Sequence, residues 1–504
     1  MKKKLLQPEN ILSKINFLKN NKKSIVLCHG VFDLFHIGHL RHLQFAKKKG
    51  DYLFVSITSD SFVNKGYAKP IFNQNLRAEL ISALEEVDFV FISNNSSAIE
   101  SINVIKPNYY CKGIEYKKED ITKKIKLEIN EVKKIGGKII YSDDIVYSSS
   151  SLINQNFDIF SKKQIEIINK VKNKFKTNKI IKEIEKLSKI NVIVFGELIF
   201  DEYFFSETIG KSAKEPMLIL KEQKLEKYLG GAGAIAKNIN SFSKSTTLLS
   251  YIGEKEKSKT LNKFLDKSIK IFLVKKDNSP TIIKRRYIDQ VSNSKLFGIY
   301  NFNKEDIRGL NEKKIIQIYN SEIKKNDMVL ISDYGHGLFS SKISKILNKT
   351  KKFTSVNVQL NSANIGYHSL DKYKKADLLV LNERELRNEF RDKESQIKTL
   401  LIKTAKFKKF RLILVTRGGD GLILLNTKNK KFYECPAFAN NIIDKTGSGD
   451  IIHAFFSLCV KANIDFELAL FISSIAAAEK LKDYANKKVI NKDYLIKIIL
   501  HYLK

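Results

Sequence analysis

Two glycine-marked turns, each set between a short apolar run and a helix-like stretch, constrain this chain more than any other feature. The first follows the apolar run Ser24 to Cys28 and reads Gly30-Val31-Phe32-Asp33-Leu34-Phe35-His36-Ile37-Gly38-His39. The second reads Asp444-Lys445-Thr446-Gly447-Ser448-Gly449-Asp450 and leads into the apolar stretch Ile451 to Val460. A strand that turns directly into a helix is the building block of a parallel sheet. The turn also leaves bare N–H groups and partial positive charge at the helix start, which suits a phosphate. The chain therefore reads as α/β, with two phosphate-handling turns far apart in sequence.

After the first turn the rhythm continues. Gly38 to Lys49 reads as helix, Tyr52 to Thr58 as strand, Arg77 to Leu84 as helix, and Phe89 to Ile92 and Tyr109 to Cys111 as strands. Ile121 to Ile135 reads as helix and Lys138 to Tyr141 as strand. From Ser161, an expected N-cap, Ile165, Ile168, Val171, Phe175, Ile180, Ile184 and Leu187 recur at helical spacing among lysines. A fresh apolar strand, Val192 to Phe195, then opens a second α/β region. The expected division is an N-terminal extension over 1–23, a first domain over 24–155, a helical linker over 156–190 and a second domain over 191–504. A length of 504 residues agrees, being too great for one ordinary core.

Composition narrows the class of function. The hydrophobic share of 43% is that of a globular protein, and no apolar run reaches the roughly 18 residues of a membrane helix. A cytoplasmic protein without a membrane partner is expected. The formal net charge of +36 raises a nucleic-acid reading, but the charge is almost all lysine, spread along the chain, without Trp. Base readout and stacking favour Arg and aromatic side chains, so a solvated lysine surface and no nucleic-acid partner are expected. Cys28, Cys111, Cys435 and Cys459 show no C-x-x-C spacing and read as reduced, buried thiols; no metal ligands are assigned.

The first turn brings His36 and His39 to either side of Gly38, where imidazoles reach the α- and β-phosphates of a nucleotide held close by bare backbone. The segment resembles the G-x-F-D-x-x-H-x-G-H signature of the cytidylyltransferase-like nucleotidyltransferases, across roughly residues 24 to 154. A second motif of that family, a hydroxyl-rich helix start, resembles Ser148-Ser149-Ser150 within Tyr147 to Ile153. The resemblance implies a Rossmann-like domain in which Gly30, Phe32, Asp33, Gly38, Lys112 and the three serines contact nucleotide, Arg77 contacts substrate, and His36 and His39 are catalytic. A sugar-phosphate oxygen would attack the α-phosphorus of ATP or CTP in line and pyrophosphate would leave, with Mg2+ and the histidines offsetting the developing charge.

In the second turn the glycines form an anion hole for a phosphoryl group in transit, and Asp450 sits where a carboxylate takes the proton of an attacking hydroxyl. The stretch resembles the D-T-x-G-A/S-G-D signature of the ribokinase-like carbohydrate kinases, over about residues 190 to 504. The resemblance implies sugar contacts at Glu197, Asp201, Gly230, Gly231 and Asn238. It implies nucleotide or phosphate contacts at Asn382 and Glu383 in an N-x-x-E region, at Thr416 and Gly418, and at Gly447 and Gly449, with ATP and Mg2+ as cofactors. The chain departs from that pattern at Ala234, where relatives carry Asn, and at Asn357 to Asn361, which replaces the Asp-Pro-Lys segment of heptose kinases.

The pairing resembles the bifunctional heptose 7-phosphate kinase/heptose 1-phosphate adenylyltransferases, with the domain order reversed. It implies synthesis of a nucleotide-activated, heptose-like sugar, ADP- or CDP-linked, for surface polysaccharide such as lipopolysaccharide. The alternative is a cytidylyltransferase for a polyol phosphate such as glycerol 3-phosphate, with a divergent or regulatory kinase domain. Sugar phosphate and nucleoside triphosphate are the expected partners, with a homodimer left open.

Overall fold

The computed structural model describes residues 4–63, 70–114, 124–142, 160–256, 261, 263–362, 364–440 and 442–503. The chain divides into two compact units, residues 1–161 with 500–504, and residues 162–499.

In the first unit β1 (Ile25–Gly30), β2 (Tyr52–Thr58), β3 (Phe89–Ser93), β4 (Tyr109–Gly113) and β5 (Lys138–Ser142) form a parallel sheet of order β3-β2-β1-β4-β5. Strand side chains alternate between faces, so a two-sided core needs apolar residues at every position. β1 meets that demand: Ile25 and Leu27 enter one apolar cluster, Val26 and Cys28 the other. The strand order reverses between β1 and β4, and in such sheets ligands bind outside the carboxyl ends at that reversal. Gly30 closes β1 there and Lys112-Gly113 closes β4.

The residues expected as an extension belong to this fold. The helix Pro8–Asn20 buries Ile11, Ile15 and Leu18 in the sheet's core, and Leu6 N–H and Val90 N–H donate to the carbonyls of Val90 and Lys4. The i, i+4, i+7 spacing of those three apolar residues is what lets one helix face cover the sheet.

The main sheet of the second unit contains β6 (Asn191–Gly196), β9 (Ser245–Gly253), β10 (Lys270–Lys276), β13 (Met328–Asp333), β14 (Phe353–Val358), β15 (Lys375–Asn382), β16 (Lys409–Thr416), β17 (Leu422–Asn426) and β18 (Lys431–Cys435). These run in the order β10-β9-β6-β13-β14-β15-β16-β17-β18, parallel up to β16 and closed by an antiparallel β17 and β18. A separate four-stranded sheet is made of β7 (Leu198–Lys211), β8 (Leu218–Gly230), β11 (Ile282–Asp289) and β12 (Lys295–Asn301), in the order β12-β11-β7-β8. The helices Lys162–Lys174 and Thr177–Glu185, in the segment expected as a linker, lie within this unit. Gln164 donates to the Ala437 carbonyl, and Lys174 pairs with Asp465 and Glu467, which fixes the first of them in place.

Candidate active sites

In the first unit the helix Ile37–Lys47 starts at His36, whose extended backbone makes it the N-cap and whose Nδ1 accepts from Gly38 N–H at 3.1 Å. His39, one turn on, stacks on it with ring centroids 3.9 Å apart, and Phe32 and Phe35 each pack 5.5 Å from His39. Both imidazoles thus stand together at the reversal point of the sheet. Gly30 lies close beside them: a Cβ there would meet the Phe32 ring at 3.2 Å, so the ring would have to shift by a few tenths of an ångström.

Three residues expected to contact nucleotide or substrate also bond within the protein. Asp33 is 3% exposed and accepts from Ile71 N–H and Phe72 N–H, so its carboxylate ties a distant loop to the turn. Arg77 is 2% exposed, and its guanidinium donates to the carbonyls of Phe72, Val31 and Thr58 and to Asp60. In both, the polar atoms bond to the protein and hold the turn in place. Lys112 donates to the His29 carbonyl at 3.3 Å and lies 3.6 Å from Glu128, a buried carboxylate that also accepts from Tyr110 and Ala98. Ser148, Ser149 and Ser150 lie outside the described residues.

The sheet also joins cysteines that no short spacing marks. Cys28 and Cys111 are register partners on β1 and β4, and with His42 they hold one ligand atom each within 4.8 Å. Burial drives the His42 imidazole down to about 4, with Lys112 adding to the effect, and raises the Cys28 thiol. Two sulfurs and an imidazole are a donor set suited to a borderline cation such as Zn2+.

In the second unit Gly447, with φ of +86°, caps the helix Ser448–Lys461, and Asp450 sits in its first turn. Asp450 is 7% exposed and accepts from Tyr334 Oη at 2.8 Å and from Gln359 at 3.4 Å. Burial pushes its carboxyl up to about 6; Asp201 adds to the rise, while Tyr334, Lys284 and Lys480 oppose it. Asp201 lies on β7, 3% exposed and ion-paired to Arg286 of β11. The two glycines behind it are forced by sterics. A Cβ on Gly230 would overlap Asp201 Oδ2, and one on Gly231, at φ of +55°, would overlap the Glu197 carbonyl.

Glu197 and Asn238 are buried, and both bond within the protein. Glu197 accepts from the N–H groups of Tyr334, His336 and Leu338, which places the loop carrying Tyr334. Burial and then Asp333 raise its carboxyl. Asn238 donates to the Ala234 carbonyl one turn back in its helix.

At the carboxyl end of β15, Asn382 stands in register with Thr416 of β16 and caps the helix Glu383–Phe390. Of the two acidic residues that follow Asn382, Glu385 is the one that interacts electrostatically with Asp450. Glu383 pairs with Arg387 and Arg417, which hold its carboxyl down, whereas Glu385 is 4% exposed and accepts from Leu360 and Asn382 N–H. Burial pushes the Glu385 carboxyl up to about 8, and Asp450 contributes to the rise. Gly418, at φ of +57°, Gly419 and Gly449 face open space, with no atom within 4 Å of a Cβ built on any of them. Lys284, in register with Asp201, and Arg286 complete a charged wall that the sequence does not mark.

Residues 189–486, more than half of the 504-residue chain, match the pfkB family carbohydrate kinases. The chain belongs to that family. As a pfkB-family protein it carries a further domain, since residues 27–180 match the cytidylyltransferase-like family. Among curated relatives, the Bifunctional protein HldE of a Nitratiruptor species is 26% identical over 293 residues, covering 57% of this chain and 61% of that one. The protein of the same name from Haemophilus influenzae (strain PittEE) is 27% identical over 296 residues, covering 58% and 60%. The chain thus spans about three fifths of the length of these relatives. Among solved structures, phosphofructokinase-2 from Escherichia coli, in complex with substrates and products, superposes with a TM-score of 0.50 at 13% identity, covering 63% of this chain and 100% of that one. The likeness concerns the fold of the pfkB region alone. Among the described residues, no helix is long and apolar enough to cross a membrane.

Proposed function

We propose that the chain joins two transferases acting in series on one phosphorylated sugar. The pfkB unit moves the γ-phosphoryl group of ATP to a sugar hydroxyl, making a sugar 1-phosphate. The first unit joins that phosphate to the α-phosphorus of ATP or CTP, and pyrophosphate leaves. The observation that carries the reading is the joint placement of Asp450 and Asp201. Asp450 is buried at a helix start bounded by Gly447 and Gly449, and Asp201 interacts with it electrostatically. A base for the sugar hydroxyl and an anion-binding turn for the phosphoryl group then belong to one helix start.

Each unit supplies positioning and charge and no covalent intermediate. Asp450 takes the proton as the sugar oxygen attacks phosphorus, the N–H groups at Gly447 to Gly449 meet the equatorial oxygens, and ADP leaves. A Mg2+ ion, where bound, neutralises phosphate charge, and the buried Glu385 carboxylate is an oxygen donor of the hard kind that such an ion takes. In the first unit His36 and His39 face the α- and β-phosphates.

The heptose-like sugar, the ADP or CDP link and a role in surface polysaccharide rest on the resemblance to the heptose enzymes. A specific feature favours a divergent acceptor: Gln359 and Asn361 bond to Asp450 and to the Tyr334 carbonyl, where heptose kinases carry a charged segment. The second reading is accordingly a polyol-phosphate cytidylyltransferase with a kinase unit for another substrate. Mass spectrometry of the protein incubated with ATP, CTP, heptose 7-phosphate and glycerol 3-phosphate tests both. A nucleotide sugar made from an unactivated sugar phosphate supports the series; product from glycerol 3-phosphate alone supports the second reading.

A further inference from the structure

The pfkB unit holds a cation that its own fold does not neutralise. Lys480 ends the helix Phe466–Lys480 and is 3% exposed, yet its Nζ has no hydrogen-bond partner among the described residues. Burial lowers its pKa, and Asp444, Asp483, Asp201 and Asp450 oppose that fall by favouring the charged form, but none of the described ion pairs joins it to any of them. Asp444 is already taken by Lys295, Tyr203, Thr446 and the Ala485 N–H, and Asp201 by Arg286. A buried ammonium without an acceptor is expensive, so an anion that the protein does not itself supply fits the position.

The direction of the side chain says where that anion sits. Lys480 Cε is 3.6 Å from the place a Cβ would take on Gly447, the N-cap of the helix Ser448–Lys461. Asn486 borders the same place: its Nδ2 donates to the Leu229 carbonyl, and its Oδ1, unpartnered, is 3.1 Å from the Gly447 position. The first N–H groups of a helix have no acceptor within it. Two residues beyond Gly447, Gly449 leaves open space where any side chain would project. A buried cation and a helix N-terminus therefore converge on one small region beside Asp450.

We propose that Lys480 is a direct ligand of the phosphoryl group that the pfkB unit transfers, binding it beside Gly447 together with the first N–H groups of the helix Ser448–Lys461. The assignment rests on the kinase reading above. In the transfer the bond from the γ-phosphorus to the bridging oxygen of ATP breaks as the sugar oxygen bonds to that phosphorus. The sugar proton passes to Asp450 and the electron pair of the broken bond leaves with ADP. Lys480 offsets negative charge on the moving group while Asp450 accepts the proton, so the two residues act on opposite charges in one step.

The test uses the full chain and Lys480→Met, with Lys480→Gln as a second variant that keeps a polar end. Probes are Mg2+ with ADP or with the β,γ-imido analogue of ATP, read by calorimetry, alongside the melting temperature and phosphorylation kinetics. Both variants are expected to melt no lower than the wild type, since an unpaired buried charge is gone. They should lose about tenfold in preference for the analogue over ADP and about 100-fold in kcat, with sugar-phosphate KM nearly unchanged. A folded variant that keeps both the preference and kcat overturns the assignment, as does one that melts lower with the preference intact, because that is a structural cation. If the wild type binds neither nucleotide, the kinase reading falls and Lys480 with it.

Discussion

Tyr334 gives its hydroxyl proton to Asp450 Oδ1 at 2.8 Å while its backbone N–H is held by Glu197 Oε2 at 2.6 Å. The base is therefore oriented through a residue whose own place is set by a buried glutamate on the neighbouring strand end. This chain of contacts ties Glu197 to the placement of Asp450. It also fixes the sign of a pH effect.

A general base works as a carboxylate, and burial pushes the Asp450 carboxyl up to about 6, against the opposing Tyr334 hydrogen bond. Phosphorylation, read as kcat/KM against pH, is expected to rise through about pH 6 and level off above it. Tyr334→Phe withdraws a bond that favours the ionised form, so its midpoint moves to higher pH. A midpoint that stays or moves down assigns the acid limb to another group.

Asp450→Asn and His39→Ala separate the two chemistries. Loss of the base lowers phosphorylation by about 10²–10⁴-fold and leaves nucleotidyl transfer to a supplied sugar 1-phosphate intact; His39→Ala does the reverse. The Asp450 carboxyl sits higher in the folded protein than its usual value, so ionisation weakens folding as pH rises toward about 6. Asp450→Asn removes that cost, and at neutral pH its melting temperature should equal or exceed the wild type's. Loss of both activities from one folded variant contradicts the two-site arrangement.

The glycines predict three different outcomes by distance alone. An added methyl on Gly230 overlaps Asp201 Oδ2, so Gly230→Ala should break the Asp201–Arg286 pair and raise the KM for the sugar phosphate. Gly231→Ala meets a backbone carbonyl at positive φ and should lower stability, by about 1–2 kcal/mol from the backbone alone. Gly449→Ala meets nothing within 4 Å, so folding is untouched and only the nucleotide KM should rise. Calorimetric melting with steady-state kinetics on all three distinguishes them.

What was legible in the sequence follows from what local pattern records. β2 and β6 are readable because two-sided burial demands an uninterrupted apolar run, as in Val192 to Phe195. Strands such as β8, with Lys221-Glu222-Gln223-Lys224 exposed along much of its length, take their state from pairing with β7 and carry no such mark. The turns were legible because glycine and histidine are scarce and their order is informative. Lys480 and Lys284 were not, since nothing local tells a buried lysine from the rest of 90 lysines and arginines. Cys28 and Cys111 meet only through strand register.

Arg77 was legible as a special arginine, but its role depends on contacts from three other segments. Its donors satisfy the carbonyls of Val31, Thr58 and Phe72 together with Asp60, so removing it strands several buried acceptors. Arg77→Ala should destabilise the first unit by about 3–5 kcal/mol, and Arg77→Lys should not restore it, because one ammonium cannot reproduce the fork. Thermal unfolding together with retained phosphorylation by the second unit checks this. A variant with normal melting and a raised substrate KM would return Arg77 to a substrate contact.

Glu383 and Glu385 stand two residues apart at one helix start and should behave oppositely. Glu383 is bound to Arg387 and Arg417 at the surface, so Glu383→Gln trades a screened ion-pair network for a neutral amide, and phosphorylation should change less than about twofold. Glu385 is buried, in the same electrostatic field as Asp450, and is held by the Leu360 and Asn382 N–H groups. Glu385→Gln keeps the size and one acceptor oxygen while removing the group that ionises when a cation binds, so the fold should persist. A hard divalent cation loses a donor it favours, so the Mg2+ concentration giving half-maximal phosphorylation should rise at least about tenfold. Magnesium titrations of both variants against the wild type read this directly. Equal responses in the two variants would mean that Glu385 serves the helix cap alone, and that the metal is held elsewhere.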